Sequence, residues 1–382
     1  MLPFVRMFDY GNIIPEKEGR FKIYSSGSMY LHDTLTHKLY ASSATNWGTG
    51  TGVASSKFIL CAENVQRVLL EDNSSDCQLY EEKGTGKVFI TGNTKAFTGV
   101  TDRKTLWTDC TTWITSGGIS VSDIEYMSSF NDMKVNLVLK DGTLYCCGAN
   151  NASNISSFGD GTNIDSFNTF KKVSTITSVK KAVGNIYLRE DNTLWGCGFN
   201  YYYQLGTGNQ TSITGVTMIS SDVIDFDVSY QSTFFIKSDN NLYACGKQYG
   251  AQYGNEFGTG GTSTSTDIQY KTPTLLSTGV YGVYACVANM ASHIVKADEV
   301  LYASGSNRGG QLGVGNNINQ YSYTPSYTSF NSSCNLVRTP SGSLILTDTG
   351  KLYYCGYAIV VMGGIAGQNI LSYTEVDMSF LQ

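Results

Sequence analysis

The side chains best suited to chemistry in this chain of 382 residues are ten cysteines and three histidines. Four cysteines, Cys147, Cys197, Cys245 and Cys355, each stand directly before a glycine in a recurring segment. Residues that repeat at one place in successive units point in equivalent directions, mostly too far apart to form a disulfide or share a metal. They read as small buried side chains. Cys61, Cys77, Cys110, Cys286 and Cys334 form no Cys-x-x-Cys pair and have no flanking histidine, so no zinc site is expected. His32 and His37 flank a predicted turn, and His293 is expected to be a hydrogen-bonding histidine of the core. No Gly-x-Ser-x-Gly elbow is present. Gly84-Thr-Gly86-Lys87 resembles the end of a phosphate loop, but a strand follows it where a helix is required. Asp225 and Asp227 share one face of a strand and are expected to be solvated or loop-capping. No catalytic residue, metal or cofactor is expected, and the chain is not expected to be an enzyme.

Tyrosine is the residue that stands out. There are 26, and several fall in predicted loops: Tyr201, Tyr202 and Tyr203 in succession, then Tyr249 and Tyr253, then Tyr321, Tyr323 and Tyr327, with Arg308 among them. Tyr and Arg anchor protein interfaces, because they bury a large area with few rotors and keep a polar tip. Tyr201, Tyr202, Tyr203, Tyr249, Tyr253, Arg308, Tyr321 and Tyr323 are therefore the candidate partner-binding residues.

The elements that position them follow from an internal repeat. An aliphatic-aromatic pair, two residues and a glycine recur as Leu144-Tyr145-Cys-Cys-Gly148, Leu194-Trp195-Gly-Cys-Gly198, Leu242-Tyr243-Ala-Cys-Gly246, Leu301-Tyr302-Ala-Ser-Gly305 and Leu352-Tyr353-Tyr-Cys-Gly356. Val88-Phe89-Ile-Thr-Gly92 and Leu39-Tyr40-Ala-Ser-Ser43 are weaker copies. The period is about 52 residues, so seven copies fill the chain. Each copy has an alternating strand, a tight polar turn such as Lys140-Asp-Gly142 or Glu190-Asp-Asn192, the returning motif strand, a Gly-rich loop and further apolar stretches. About four strands per period of this length read as a propeller blade. The prediction is a single all-β domain over residues 1–382: seven blades of about four antiparallel strands, a short arm over 1–20, and a ring closed by the termini. The C-terminal segment 374–382 is expected to complete the first blade, begun by Phe21-Lys-Ile-Tyr24. The motif glycines are expected to take positive φ, and the motif aromatics to be buried between blades.

The loops after the motif carry a resemblance. Gly198-Phe-Asn-Tyr-Tyr-Tyr-Gln204-Leu-Gly206-Thr-Gly208 and Gly305-Ser-Asn307-Arg-Gly-Gly310-Gln311-Leu312-Gly313-Val-Gly315 resemble the repeat of the regulator of chromosome condensation (RCC1) family, whose units run Leu-Tyr-x-Trp-Gly-x-Asn-x-x-Gly-Gln-Leu-Gly-x-Gly. Blades three and five match more loosely, at Phe158-Gly-Asp-Gly161 and Gln252-Tyr-Gly254, and blades one, two and seven are degenerate. The resemblance implies an RCC1-like seven-bladed β-propeller that binds proteins. Relatives that act as exchange factors for small GTPases carry a wedge and a basic chromatin-binding tail, and neither is recognisable here.

Charge narrows the partners. The net charge is −5 and only 15% of residues are charged, with no Lys/Arg run longer than two, so neither nucleic-acid binding nor a polybasic membrane anchor is expected. No apolar run is long enough for a membrane-spanning helix. The N-terminus lacks the apolar core of a secretory signal, which predicts a cytoplasmic site of synthesis. The degenerate repeats, the charge-poor composition and the opening Met-Leu-Pro-Phe-Val-Arg-Met-Phe-Asp-Tyr-Gly resemble RCC1-like proteins of tailed phages. That resemblance implies a virion component present in multiple copies, with other virion proteins and a host surface receptor as partners. A cytoplasmic GTPase regulator and a lectin-like propeller whose tyrosines stack on sugars are the alternatives.

Overall fold

The computed structural model describes residues 19–381, apart from 44, 74–75, 154–155, 249–253, 261–267, 287–289, 340–341 and 358–368. Seven antiparallel units of four strands form a ring. They span residues 21–62, 65–109, 124–172, 179–220, 223–277, 280–328 and 335–375. Within each blade the chain runs outward. First strands of neighbouring blades meet near the central channel, and fourth strands form the exposed periphery. The recurring motif is the third strand in every blade: Lys38–Ser43, Val88–Asn93, Leu144–Gly148, Leu194–Gly198, Leu242–Gln248, Val300–Gly305 and Leu352–Tyr357.

Local chemistry accounts for this anatomy. The second and third strands are joined by turns whose left-handed positions hold Gly142, Asn192, Asn240 and Gly350, at φ between +60° and +77°. The motif aliphatic residue is fully buried in every blade. The motif aromatic is only half-buried in most, contrary to expectation, and in two blades a lysine from the second strand covers its ring. Lys237 sits 5.3 Å from the Tyr243 ring centroid and Lys296 5.5 Å from that of Tyr302. The motif glycine does adopt positive φ, +108° at Gly305, where an added Cβ would lie 2.3 Å from the Met290 carbonyl.

Two further expectations are corrected. The first blade closes on itself with its own fourth strand, Ser55–Ala62, so the C-terminal segment does not complete it. The last strand, Asn369–Glu375, pairs within the seventh blade, and Val376, Met378 and Leu381 then fold back on the seam. The ring is closed by packing: Ile23, Leu31 and Phe58 of the first blade meet Leu344, Leu352 and Tyr354 of the seventh. Ser25 Oγ also donates across that seam to the Arg338 carbonyl at 2.7 Å. The second correction concerns blade five. The equivalent of Gln311-Leu312-Gly313-Val-Gly315 there is Glu256-Phe257-Gly258-Thr-Gly260, and not Gln252-Tyr-Gly254, part of which lies outside the described residues. The fourth strand of blade two, Arg103–Asp109, is flanked by two short helices, Lys95–Thr98 and Thr111–Thr115.

One strand leaves the pattern. In blade two the inner strand stops at Val68, and Leu70–Asn73 pairs in parallel with the inner strand of blade three, Ile124–Phe130. Arg67 at this junction donates Nε to Glu81 at 2.7 Å and Nη1 to the Ile124 carbonyl at 2.7 Å.

Candidate protein-binding face

The hairpins between first and second strands and the loops after the third strands emerge at the same end of the ring, because the strands alternate in direction. These loops are built rigidly. Asn200 is fully buried; its Oδ1 accepts the Leu205 amide at 2.9 Å, and its Nδ2 donates to Thr207 Oγ1 and the Asn209 carbonyl. Gln204 Oε1 accepts the Tyr202 amide at 3.0 Å. Asn307 and Gln311 repeat the arrangement in blade six. The Asn and Gln of the repeat are thus internal caps of the loop.

Each loop then docks on the next blade. Its Gly-x-Gly carries φ between +63° and +83° in five blades. The N–H of the second glycine donates to the next blade's outer strand: Gly52 to Thr105, Gly161 to Thr214, Gly208 to Lys271, Gly260 to Tyr321 and Gly315 to Leu371, at 2.8 to 3.0 Å. The repeated cysteine faces the same joint. Cys147, Cys197, Cys245 and Cys355 donate Sγ–H to loop carbonyls of the preceding blade, those of Phe97, Ser157, Gln204 and Gln311. Thr91 and Ser304 do the same with hydroxyls, to Trp47 and Asn255. The position therefore selects a small donor, a role beyond the small buried side chain read from sequence. Burial pushes the thiols of Cys147, Cys245 and Cys355 up to about 12, which keeps them protonated as donors.

On this face the structure gathers Tyr201 and Tyr202 with two rings that sequence reasoning missed, Phe199 and Tyr230. Ring centroids are 6.1 Å apart for Phe199–Tyr201, 5.6 Å for Phe199–Tyr202, 5.3 Å for Tyr201–Tyr202 and 6.1 Å for Tyr202–Tyr230. Tyr201 is 53% exposed. Phe199 and Tyr230 also wall a small pocket between blades four and five, floored by Leu205, Val228 and Ser229. Tyr230 was invisible as a member because it comes from the next blade's hairpin. Tyr203 turns aside at φ +63°, with the Lys271 ammonium 5.5 Å from its ring centroid.

The other candidates lie elsewhere. Arg308 is exposed on the blade-six loop, with its carbonyl accepting from Asn369. Tyr321 and Tyr323 belong to the outer strand of blade six. Tyr323 packs over Gly258, and its hydroxyl lies 2.9 Å from Ser292 Oγ and 3.4 Å from the Glu256 carbonyl, so it is a seam residue. Tyr327 packs on Tyr353 and Tyr373. Tyr249 and Tyr253 lie outside the described residues.

Two buried titratable groups also sit beneath this face. Glu256 occupies the place of the loop glutamine and is 1% exposed. Its Oε1 accepts Ser232 Oγ at 2.7 Å and Ser229 Oγ at 3.2 Å, while Oε2 has no partner among the described residues. Burial pushes the carboxyl up to about 7, against the opposing pull of the two serines and Arg338. His293 is fully buried, as expected of a core histidine; neither ring nitrogen makes a well-formed hydrogen bond among the described residues, and burial lowers its pKa well below the usual range against a weaker pull from the Leu312 backbone.

The fold is thus that of an RCC1-like seven-bladed propeller. Similar solved structures include Prp20p from Saccharomyces cerevisiae, described with its binding to Gsp1p and histones, at TM-score 0.61 and 12% identity, covering 84% of this chain and 80% of that one. Yeast RCC1 (Prp20) bound by Kap60 superposes at TM-score 0.62 and 14% identity, over 85% of this chain and 78% of that one. Human WBSCR16 does so at TM-score 0.53 and 14% identity, over 94% and 83%. No model of a known protein family matches the sequence.

Proposed function

We propose that the chain is a non-enzymatic platform that binds proteins through the rim bearing Phe199, Tyr201, Tyr202 and Tyr230. The observation that carries this reading is the cluster of four rings, one of them 53% exposed, three of which stand on a loop locked by Asn200 and Gln204. Rigid aromatic anchors beside a small pocket are what an interface hot spot requires. The fold is consistent with this use, since Prp20p is described as binding Gsp1p and histones and in complex with Kap60. The finer reading is a structural component of a tailed-phage virion, in the tail, an appendage or as decoration, present in multiple copies and contacting other virion proteins or a host receptor. The charge-poor, Gly- and Tyr-rich composition supports it.

The test is a photo-crosslinking residue at Tyr201 in assembled particles, with Lys140 on the opposite rim as control. Crosslinking from position 201 to one particle protein, lost in Y202S/Y230S, is expected. Equal crosslinking from both rims would refute the face, and absence of the chain from purified particles would end the virion reading. Binding on a glycan array, lost in the same variant, would replace protein by sugar as the ligand.

A further inference from the structure

The hairpin that brings Tyr230 to the rim is held from below by one carboxyl group. The Ser229 amide donates to the Ser232 carbonyl at 2.9 Å, closing the turn, and both hydroxyls converge on Glu256 Oε1. The backbone of Glu256 is fixed independently. Its amide donates to Gln248 Oε1 at 2.6 Å and its carbonyl accepts Ser292 Oγ at 2.5 Å. The main chain of Glu256 is therefore anchored by contacts that do not involve its carboxyl group. Among the described residues Oε2 faces no donor, and the group is 1% exposed.

The surroundings compensate a carboxylate only in part. The cation that acts on it among the described residues is Arg338 of blade seven, whose Nη1 donates to the carbonyls of Tyr284 and Ala291 and whose pull is outweighed by burial. His293 of blade six is held neutral by burial, and the Tyr323 hydroxyl is directed to Ser292. On blade five's own strands, Asp227 accepts the Val228 and Ala285 amides, and Lys247 follows the motif glycine. A charge buried with one oxygen bare draws water toward itself or opens its surroundings, whereas the neutral acid does neither.

We propose that Glu256 is a protonation switch for the rim: as the neutral acid it holds the Ser229–Ser232 hairpin closed, and as the carboxylate it loosens that hairpin and Tyr230 with it. The element biased is a single turn, which is the scale on which local opening operates. Where the rim serves as the contact face, a step that rests on the function proposed above, partner affinity falls as pH rises through neutrality.

The test uses the free full-length chain, so it does not depend on any partner. Hydrogen exchange of segment 226–236, corrected for intrinsic rates, is followed from pH 5.5 to 8.5. Protection in the wild type should fall by about tenfold or more while that of the other blades stays level, and E256Q should show no such fall. A level wild type, the same fall in E256Q, or a fall shared by all blades would overturn the proposal. Should E256Q fail to fold, S232A serves instead. Losing a donor to the carboxylate must move the midpoint to higher pH, and an unmoved midpoint refutes the switch.

Discussion

Gly313→Ala and Gly315→Ala separate the two demands a seam loop makes on its glycines. Both positions are left-handed, at φ +68° and +83°, and an L-residue there costs roughly 1–2 kcal/mol. Their surroundings differ. A Cβ at 313 would lie 2.6 Å from the Tyr373 ring and 3.0 Å from Cys355 Sγ, whereas a Cβ at 315 would meet nothing nearer than Ser372 Oγ at 3.7 Å. Overpacking adds roughly 1–3 kcal/mol. The expected losses are thus about 3 kcal/mol for Gly313→Ala and about 1 kcal/mol for Gly315→Ala. With unfolding entropy near 2.1 cal/mol/K per residue, a chain of this length loses roughly 4 °C and 1–2 °C in Tm respectively. Urea titration and calorimetry measure both, and Tyr373→Leu should return part of the Gly313→Ala loss by relieving the contact. Equal losses in the two variants, or a Gly313→Ala loss below about 1 kcal/mol, would refute the docking of the blade-six loop on blade seven.

Two further outcomes follow from charged side chains that bond across blade seams. Arg67→Leu removes the guanidinium that joins Glu81 of blade two to the carbonyls of Val121, Ile124 and Glu125, and should cost about 3 kcal/mol in a urea titration. Lys134 is fully buried, with Nζ donating to the Ser157 carbonyl at 2.7 Å and lying 2.9 Å from the Tyr187 hydroxyl, and burial lowers its pKa. The unfolded chain then holds the proton more tightly, so stability should rise with pH from the lowered folded value up to the ordinary lysine range. Lys134→Met should lack that rise and melt no lower than the wild type at pH 7, as followed by thermal melts across pH.

What was legible in the sequence tracks what is local. The Leu-Tyr-x-x-Gly strand, its Asp-Gly or Asp-Asn turn and the period are fixed by neighbours in the chain, and the seven blades followed from them. Whatever depends on the next blade was hidden. Cys197 looks like a small core residue until the Ser157 carbonyl stands opposite it. Tyr323 looks like a loop tyrosine until it covers Gly258. Tyr230 joins the aromatic rim only because blade five brings its hairpin beside Tyr202. The expected terminal strand exchange failed for the same reason: Ser55–Ala62 already fills the edge of blade one, which the segment 374–382 was expected to fill.

Because every blade supplies its own four strands, the seam between the seventh blade and the first is a blade boundary like any other. The Ser221–Asp222 link, between the last strand of blade four and the first of blade five, occupies the topologically equivalent place to the seam between Glu375 and Phe21. Gene-level duplication, loss or circular permutation of whole blades would leave each sheet intact. The exception is the boundary bridged by Leu70–Asn73, where blades two and three would have to be inherited as a pair.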